Sequence, residues 1–298
     1  MKNFITIMPK LSVAIATFNE EKNLLECLKS VNGLADEIVI VDGSSTDKTV
    51  EIARKFNAKV VVTDNPKIFH KNKQKALDLA TKEWILQLDA DERVSPKLRE
   101  EIKKIISMSD KEIEEYQKNL PEKKLFLRHQ KLLEERDGSI GKEKAEYAAF
   151  FIPRLNYFLG KYLRYGGVYP DGVIRLVKKG KAHFPCKDVH EQMVVDGKVG
   201  WLQNPLLHKD SPTFTRYLQR NNRYTDLLSS QFKKENIGAN PFTAINYLLL
   251  KPIHWFVLTQ FRHKGILDGY QGLVFSFFSS LRFPIAYLKY LKIRHIEN

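Results

Sequence analysis

Cysteine is scarce: Cys27 and Cys186 are the two in 298 residues. That number excludes a disulfide framework, and their spacing matches no metal-binding cysteine motif. A reducing, cytosolic compartment is expected, with Cys27 a packing residue on an apolar helix face. Glycine is missing from the start of the chain, where the first is Gly33. A first strand–helix connection without glycine excludes both the dinucleotide-binding G-x-G-x-x-G turn and the P-loop. Any nucleotide must therefore be held through carboxylates and metal. Residues 1–9 contain no long apolar stretch with a cleavage site, so no signal peptide is expected. Long apolar runs are also missing. The longest charge-free run between residues 241 and 292, residues 269–281, falls short of the ~20 residues a spanning helix needs.

Acids are outnumbered, 35 against 49 Lys and Arg, for a net charge of +14. That balance favours anionic partners such as phosphorylated substrates or lipid headgroups. The basic residues are spread rather than striped and no nucleic-acid recognition motif occurs, so nucleic acid is not an expected partner. With 43% hydrophobic and 28% charged residues, the chain has the composition of a folded protein.

The first ninety residues alternate in period. Residues 11–16, 37–41 and 59–63 read as strands. Leu24, Leu25, Leu28 and Val31 recur at helical spacing, as do Val50, Ile52, Ala53 and Phe56. Ser44 followed by Asp47 predicts a capping box for the second helix, and residues 70–80 a third helix. A fourth strand, Trp84-Ile85-Leu86-Gln87-Leu88, runs straight into Asp89-Ala90-Asp91-Glu92. Strand and helix in alternation predict an α/β fold with a mostly parallel sheet flanked by helices. The polar segments 17–20, 42–47 and 89–92 all follow strands, so they gather at the carboxyl edge, where open α/β sheets bind ligands. Two carboxylates one residue apart suit Mg²⁺ or Mn²⁺, with substrate phosphates completing the shell. A solvated strand end before a helix cap at Ser95-Pro96 is the alternative for this motif alone.

Three segments together carry a resemblance: Ala16-Thr17-Phe18-Asn19-Glu20-Glu21, Val41-Asp42-Gly43-Ser44-Ser45-Thr46-Asp47 and Leu88-Asp89-Ala90-Asp91-Glu92. In order and spacing the chain resembles the family 2 glycosyltransferases of GT-A fold, which are Rossmann-like. The resemblance implies that Thr17, Asn19, Glu20 and Asp42 face the nucleoside of a UDP-sugar. It implies that Asp91 ligates the metal and that Asp89, with Ala90 beside it, faces ribose or a metal-bound water. Lys75 matches a basic residue beside the nucleotide, with a solvated helix face as its alternative. Further on, Tyr169-Pro170-Asp171, Arg175-Leu176 and Val189-His190-Glu191 resemble the lipopolysaccharide-core and lipid-linked branch of the family. There the resemblance puts the general base at Glu191, with Asp188 and Asp171 as alternatives; a salt bridge from Glu191 to Arg175 or a neighbouring Lys is the structural reading. His208 is a candidate for contact with diphosphate or metal.

Residues 109–146 form a strongly charged insertion with interleaved signs, expected to be a helical insertion or solvated hairpin. Domain boundaries are expected at 1–210 for the catalytic part and 211–298 for a helical C-terminal region. From residue 241 onward seven Lys or Arg face two acids in a stretch rich in Leu, Phe, Tyr and Trp. Such helices are expected to lie in the headgroup plane of an anionic leaflet, or to pack on the sheet. The resulting expectation is an inverting, metal-dependent hexosyltransferase acting on a lipid-linked saccharide, peripheral at the cytoplasmic face of the inner membrane. A polyprenyl-phosphate hexosyltransferase and a catalytically inactive, basic membrane-binding protein are its rivals.

Overall fold

β-Branched, apolar stretches form the first four strands: Leu11–Thr17 (β1), Glu37–Asp42 (β2), Lys59–Val62 (β3) and Trp84–Leu88 (β4). A strand covered on both faces must be apolar throughout, and Trp84–Leu88 is buried at every position. Helices Glu21–Val31 (α1), Thr49–Lys55 (α2) and His70–Leu79 (α3) connect them. β1 pairs in parallel with β2 and with β4, and β2 with β3. This computed structural model describes residues 9–187 and 192–297, with side chains to 295.

Glu92–Val94 (β5) precedes Pro96–Ile106 (α4), where the Ser95 hydroxyl accepts the Leu98 amide and proline occupies the first turn. The charged insertion holds two helices, Asp110–Lys118 (α5) and Lys123–Asp137 (α6). Ser109 and Glu112 close a capping box on α5. Phe126 of α6 is fully buried and stacks on Trp201, ring centroids 4.7 Å apart. The expected box at Ser44 and Asp47 is absent. α2 starts at Thr49 instead, because Ser44 takes a positive φ of 64° and Asp47 accepts the Thr49 amide.

The next strands are Tyr147–Ile152 (β6), Arg154–Phe158 (β7), Lys161–Leu163 (β8) and Val173–Lys178 (β9). Ala182–His183 (β10), Val194–Val195 (β11), Lys198–Trp201 (β12) and Leu206–Ser211 (β13) follow. The main sheet runs β12-β6-β9-β4-β1-β2-β3. β9 is antiparallel to both its neighbours, β4 and β6, so the sheet is mixed around a parallel half. Its core includes Val13, Ile15, Leu24, Leu28, Ile40, Leu86 and Ile102, all fully buried, and Cys27 packs among them.

The chain divides into two compact units, one of Met1–Arg154 with Pro170–His208, the other of Leu155–Tyr169 with Lys209–Asn298. The segment 155–169, read from sequence with the catalytic part, thus groups with the C-terminal helices. In that second unit Phe214–Lys234 (α7) packs along Arg282–Glu297 (α11) over Phe232, Tyr247, Tyr287 and Tyr290. Between them lies a continuous helical stretch: Pro241–Ile245 (α8), π-helical Asn246–Leu250, Lys251–Val257 (α9) and π-helical Leu258–Arg262. After a 3-10 turn at Gly265–Asp268 comes Tyr270–Ser280 (α10), where Gly272 lies so close to the Gly265 carbonyl that no Cβ would fit. Buried Asp268 accepts the backbone amides of Arg164 and Tyr165 at 3.0 and 2.8 Å.

Candidate active site

Because β1, β2 and β4 are parallel, their outgoing loops share one edge, and hydrogen bonds knit the first two loops together. Thr17 donates its hydroxyl to the Asp42 carboxylate at 2.8 Å, and Ser45 donates its amide and hydroxyl to the same group at 2.8 and 2.7 Å. Asp42 is fully buried under these bonds. Asn19, in the left-handed region at φ 54°, donates its amide to the Ser45 hydroxyl and accepts the Thr46 amide at 2.9 Å. The Glu20 amide is donated to the Thr49 hydroxyl, and the Glu20 carboxylate accepts from Asn23. Lys75 is exposed on α3 and donates to the Thr63 hydroxyl, 3.3 Å away at the end of β3.

At the end of β4 the carboxylates are sorted into two environments. Asp89 sits 2.5 Å from the Lys73 ammonium on one oxygen and 2.6 Å from the Arg175 guanidinium on the other. Burial alone would raise its pKa, but the charges of Arg175 and Lys73 overcome that and hold the carboxyl well below the ordinary range. Glu92 is fully buried, accepts the Asp89 amide at 2.9 Å and pairs with Arg175 at 2.8 Å and Arg154 at 3.4 Å. Arg175 also donates to the Gln87 side chain. Buried Ala90 gives its carbonyl to Arg93, whose guanidinium also binds the Asn23 and Glu92 carbonyls and fixes the turn.

Asp91 has a different partner. Its carboxylate lies 3.5 Å from Nε2 of His208, on β13, which pairs antiparallel with β5 at Leu206, Leu207 and His208. Burial pushes the Asp91 carboxyl up, but the bond and charge of His208 more than offset it, and the net direction is down. Among the described residues no group of three or more His, Cys, Asp or Glu is arranged to hold a metal. Asp91 and His208 supply one hard oxygen and one imidazole nitrogen. Such a pair fits an ion that takes one or two protein ligands and completes its shell with phosphates and water.

Of the base candidates, Asp171 takes a positive φ of 41° and pairs with Arg154 at 2.9 Å. Asp188 and Glu191 lie outside the described residues. Arg175, considered in sequence as a partner for Glu191, binds Asp89 and Glu92. Sequence reading passes over Lys73 in favour of Lys75 in the same segment and does not single out Arg154. For Lys73 a signal existed: it shares the buried face of α3 with Ala76 and Leu77, at three- and four-residue spacing.

Residues 12–147 match the model of Glycosyl transferase family 2. Over that segment, just under half of its length, the chain is similar to the glycosyltransferases of that family. An uncharacterized glycosyltransferase of Rickettsia typhi is 25% identical over 97% of this chain and 88% of its own. A lipopolysaccharide core biosynthesis glycosyltransferase of Rhizobium meliloti, LpsC, is 25% identical over 93% of each chain. A glycosyltransferase of Rickettsia felis reaches 40% identity, though over 34% of this chain and 35% of its own. Among solved structures, a glucosyl-3-phosphoglycerate synthase from Mycobacterium tuberculosis with Mn²⁺ and UDP-glucose is 22% identical at a TM-score of 0.26. It aligns over 28% of this chain and 34% of its own, too little to inform donor or metal here. The mixed sheet with its acid-bearing carboxyl edge is the α/β architecture, mostly parallel and flanked by helices, that the sequence predicts.

Proposed function

We propose that this glycosyltransferase moves a hexose from a UDP-sugar to a lipid-linked saccharide, with inversion at the anomeric carbon. The observation that carries the reading is the Asp91–His208 pair, set beside a charge-locked Asp89 at the carboxyl edge of β4. Asp91 and His208 would hold Mg²⁺ or Mn²⁺, and Asp89 steadies the turn that presents Asp91. When bound, that ion supplies Lewis-acid neutralisation of charge on the leaving diphosphate. The Thr17–Glu20 and Asp42–Asp47 loops, tied by Ser45 and Asn19, offer the cradle for the nucleoside, with Lys75 at its edge.

The acceptor hydroxyl must lose its proton as the new bond forms, and a carboxylate within hydrogen-bond reach serves. We assign that role to Glu191 from its place in the chain, with Asp188 as the alternative; Asp171 is already tied to Arg154. Similarity to LpsC supports a saccharide acceptor of the lipopolysaccharide-core kind.

Membrane association is supported by the second unit's exposed apolar side chains. Phe242 is 86% exposed and Phe261 64%, with Leu250, Ile253, Ile266 and Leu267 exposed as well. So much exposed apolar surface marks an interaction site. Arg262 and Lys264 stand exposed among them, which suits an anionic leaflet. No described helix is long and apolar enough to cross a membrane. We propose that the enzyme sits peripherally at the cytoplasmic face of the inner membrane, a reading supported by this apolar and basic surface.

The test is transfer itself. Membranes carrying truncated lipopolysaccharide, incubated with UDP-hexoses and Mn²⁺, should gain one hexose of inverted configuration by mass spectrometry and NMR. Transfer with retention, or to bare polyprenyl phosphate alone, would contradict the reading.

A further inference from the structure

The second unit contains a cavity of about 240 Å³ that the reaction proposed above does not use. For comparison, one water occupies about 30 Å³ of the liquid, so the space takes a group of several heavy atoms. Tyr157, Phe158 and Phe275 form apolar walls, and α7 and α11 contribute Tyr217, Arg220 and Arg282.

The two arginines differ. Arg220 is committed: it pairs with Asp210 and donates to the Ser211 hydroxyl at 3.3 Å. Arg282 makes no ion pair and no hydrogen bond with any described side chain or backbone group. Its guanidinium lies over Trp255 at 3.9 Å and beside Phe283 at 4.8 Å from the ring centroids. Trp255 is itself held, donating its indole N–H to Ser279 at 3.1 Å. Burial pulls the Arg282 pKa down, and no carboxylate restores it; Tyr217 alone acts in the other direction. Tyr217 is wedged edge-on against Phe158 at 4.9 Å, and its hydroxyl bonds to no described residue. A partly desolvated guanidinium without a counter-ion is costly, and an oxyanion offsets that cost through charge-assisted bonds.

We propose that this cavity binds a phosphate monoester, with the phosphate on the Arg282 guanidinium and the Tyr217 hydroxyl and its organic carrier against the aromatic walls. A phosphate monoester is preferred to a carboxylate because it is close to doubly charged at neutral pH and offers three acceptor oxygens to donors on two different helices. Its carrier is a saccharide or a lipid headgroup. The site involves none of the residues assigned to the donor, so it stands or falls separately from that reading.

The experiment is calorimetric titration of the full-length protein with glucose 6-phosphate and, separately, with soluble dihexanoyl phosphatidic acid. Arg282→Met should weaken binding tenfold or more, and Tyr217→Phe, which alters no charge, several-fold, with unchanged far-ultraviolet circular dichroism. Effects on glucose 6-phosphate identify a phosphosaccharide, and effects confined to phosphatidic acid identify a lipid headgroup. If neither compound binds, or if Tyr217→Phe binds both as the unaltered protein does, the proposal is wrong.

Discussion

The guanidinium of Arg175 lies 2.6 Å from the carboxylate of Asp89, two side chains separated by 86 residues in sequence. β9 runs antiparallel beside β4, with Leu176 opposite Leu86, so Arg175 reaches the acids just past the end of β4. From the other side Lys73 closes on the same carboxylate. Asp89 is thereby a fixed anion, and Asp91 is the carboxylate left to act with His208.

Replacing Asp89 should be strongly destabilising. Asp89→Asn leaves buried Lys73 without its counter-ion and Arg175 with Glu92 alone, for an expected loss of about 3 kcal/mol in urea unfolding at pH 7. Because the folded pKa is depressed, the stabilisation is fully present above the unfolded value near 4 and is lost as pH falls through the lower folded value. The gap between the two proteins should therefore narrow as pH is lowered below about 4.

Two lysines on one helix should behave differently. Lys73→Met strips a buried partner from Asp89, whereas Lys75→Met removes an exposed side chain. Unfolding midpoints should drop clearly for the first, and the second should stay within about 0.5 kcal/mol of the parent protein.

Cys27 is fully buried, and that burial, against the opposing charge of Arg93, pushes its thiol up to about 12. A disulfide reagent at pH 8 should leave it untouched in the native protein and modify it only in denaturant. Mass spectrometry of labelled peptides reads this directly; rapid native labelling of Cys27 would contradict its place in the core.

Membrane binding should depend on the apolar face of the second unit. Phe261→Asp or Ile253→Asp should weaken sedimentation with phosphatidylglycerol vesicles by about tenfold or more, since each removes roughly 1.5–3 kcal/mol of apolar burial. Equal partitioning of these variants would exclude that face as the contact.

The parallel half of the sheet is legible in the sequence because each of its strands is a short apolar run ending in a polar loop. The acids of 89–92 directly follow one such run, which is enough to put them at the sheet's carboxyl edge. His208 is named from sequence as a contact for diphosphate or metal, but the side chains that meet the acids, and how, come from distant strands. Arg175 and His208 approach the acids only because β9 and β13 run antiparallel beside β4 and β5, a pairing no local pattern encodes. Motif position favours Lys75 over Lys73, although two residues along a helix turn a side chain by about 200°, away from the buried face. The capping box fails for a related reason, since Ser44 hydrogen-bonds the Thr63 carbonyl across the loop rather than serving α2.

The most direct test of the site is calorimetric binding of UDP in the presence and absence of Mn²⁺, on the parent protein and on Asp91→Asn. The account predicts tight binding only with Mn²⁺, and loss of that metal-dependent gain in Asp91→Asn with the fold retained. Equal, metal-independent binding by both proteins would contradict the role given to Asp91.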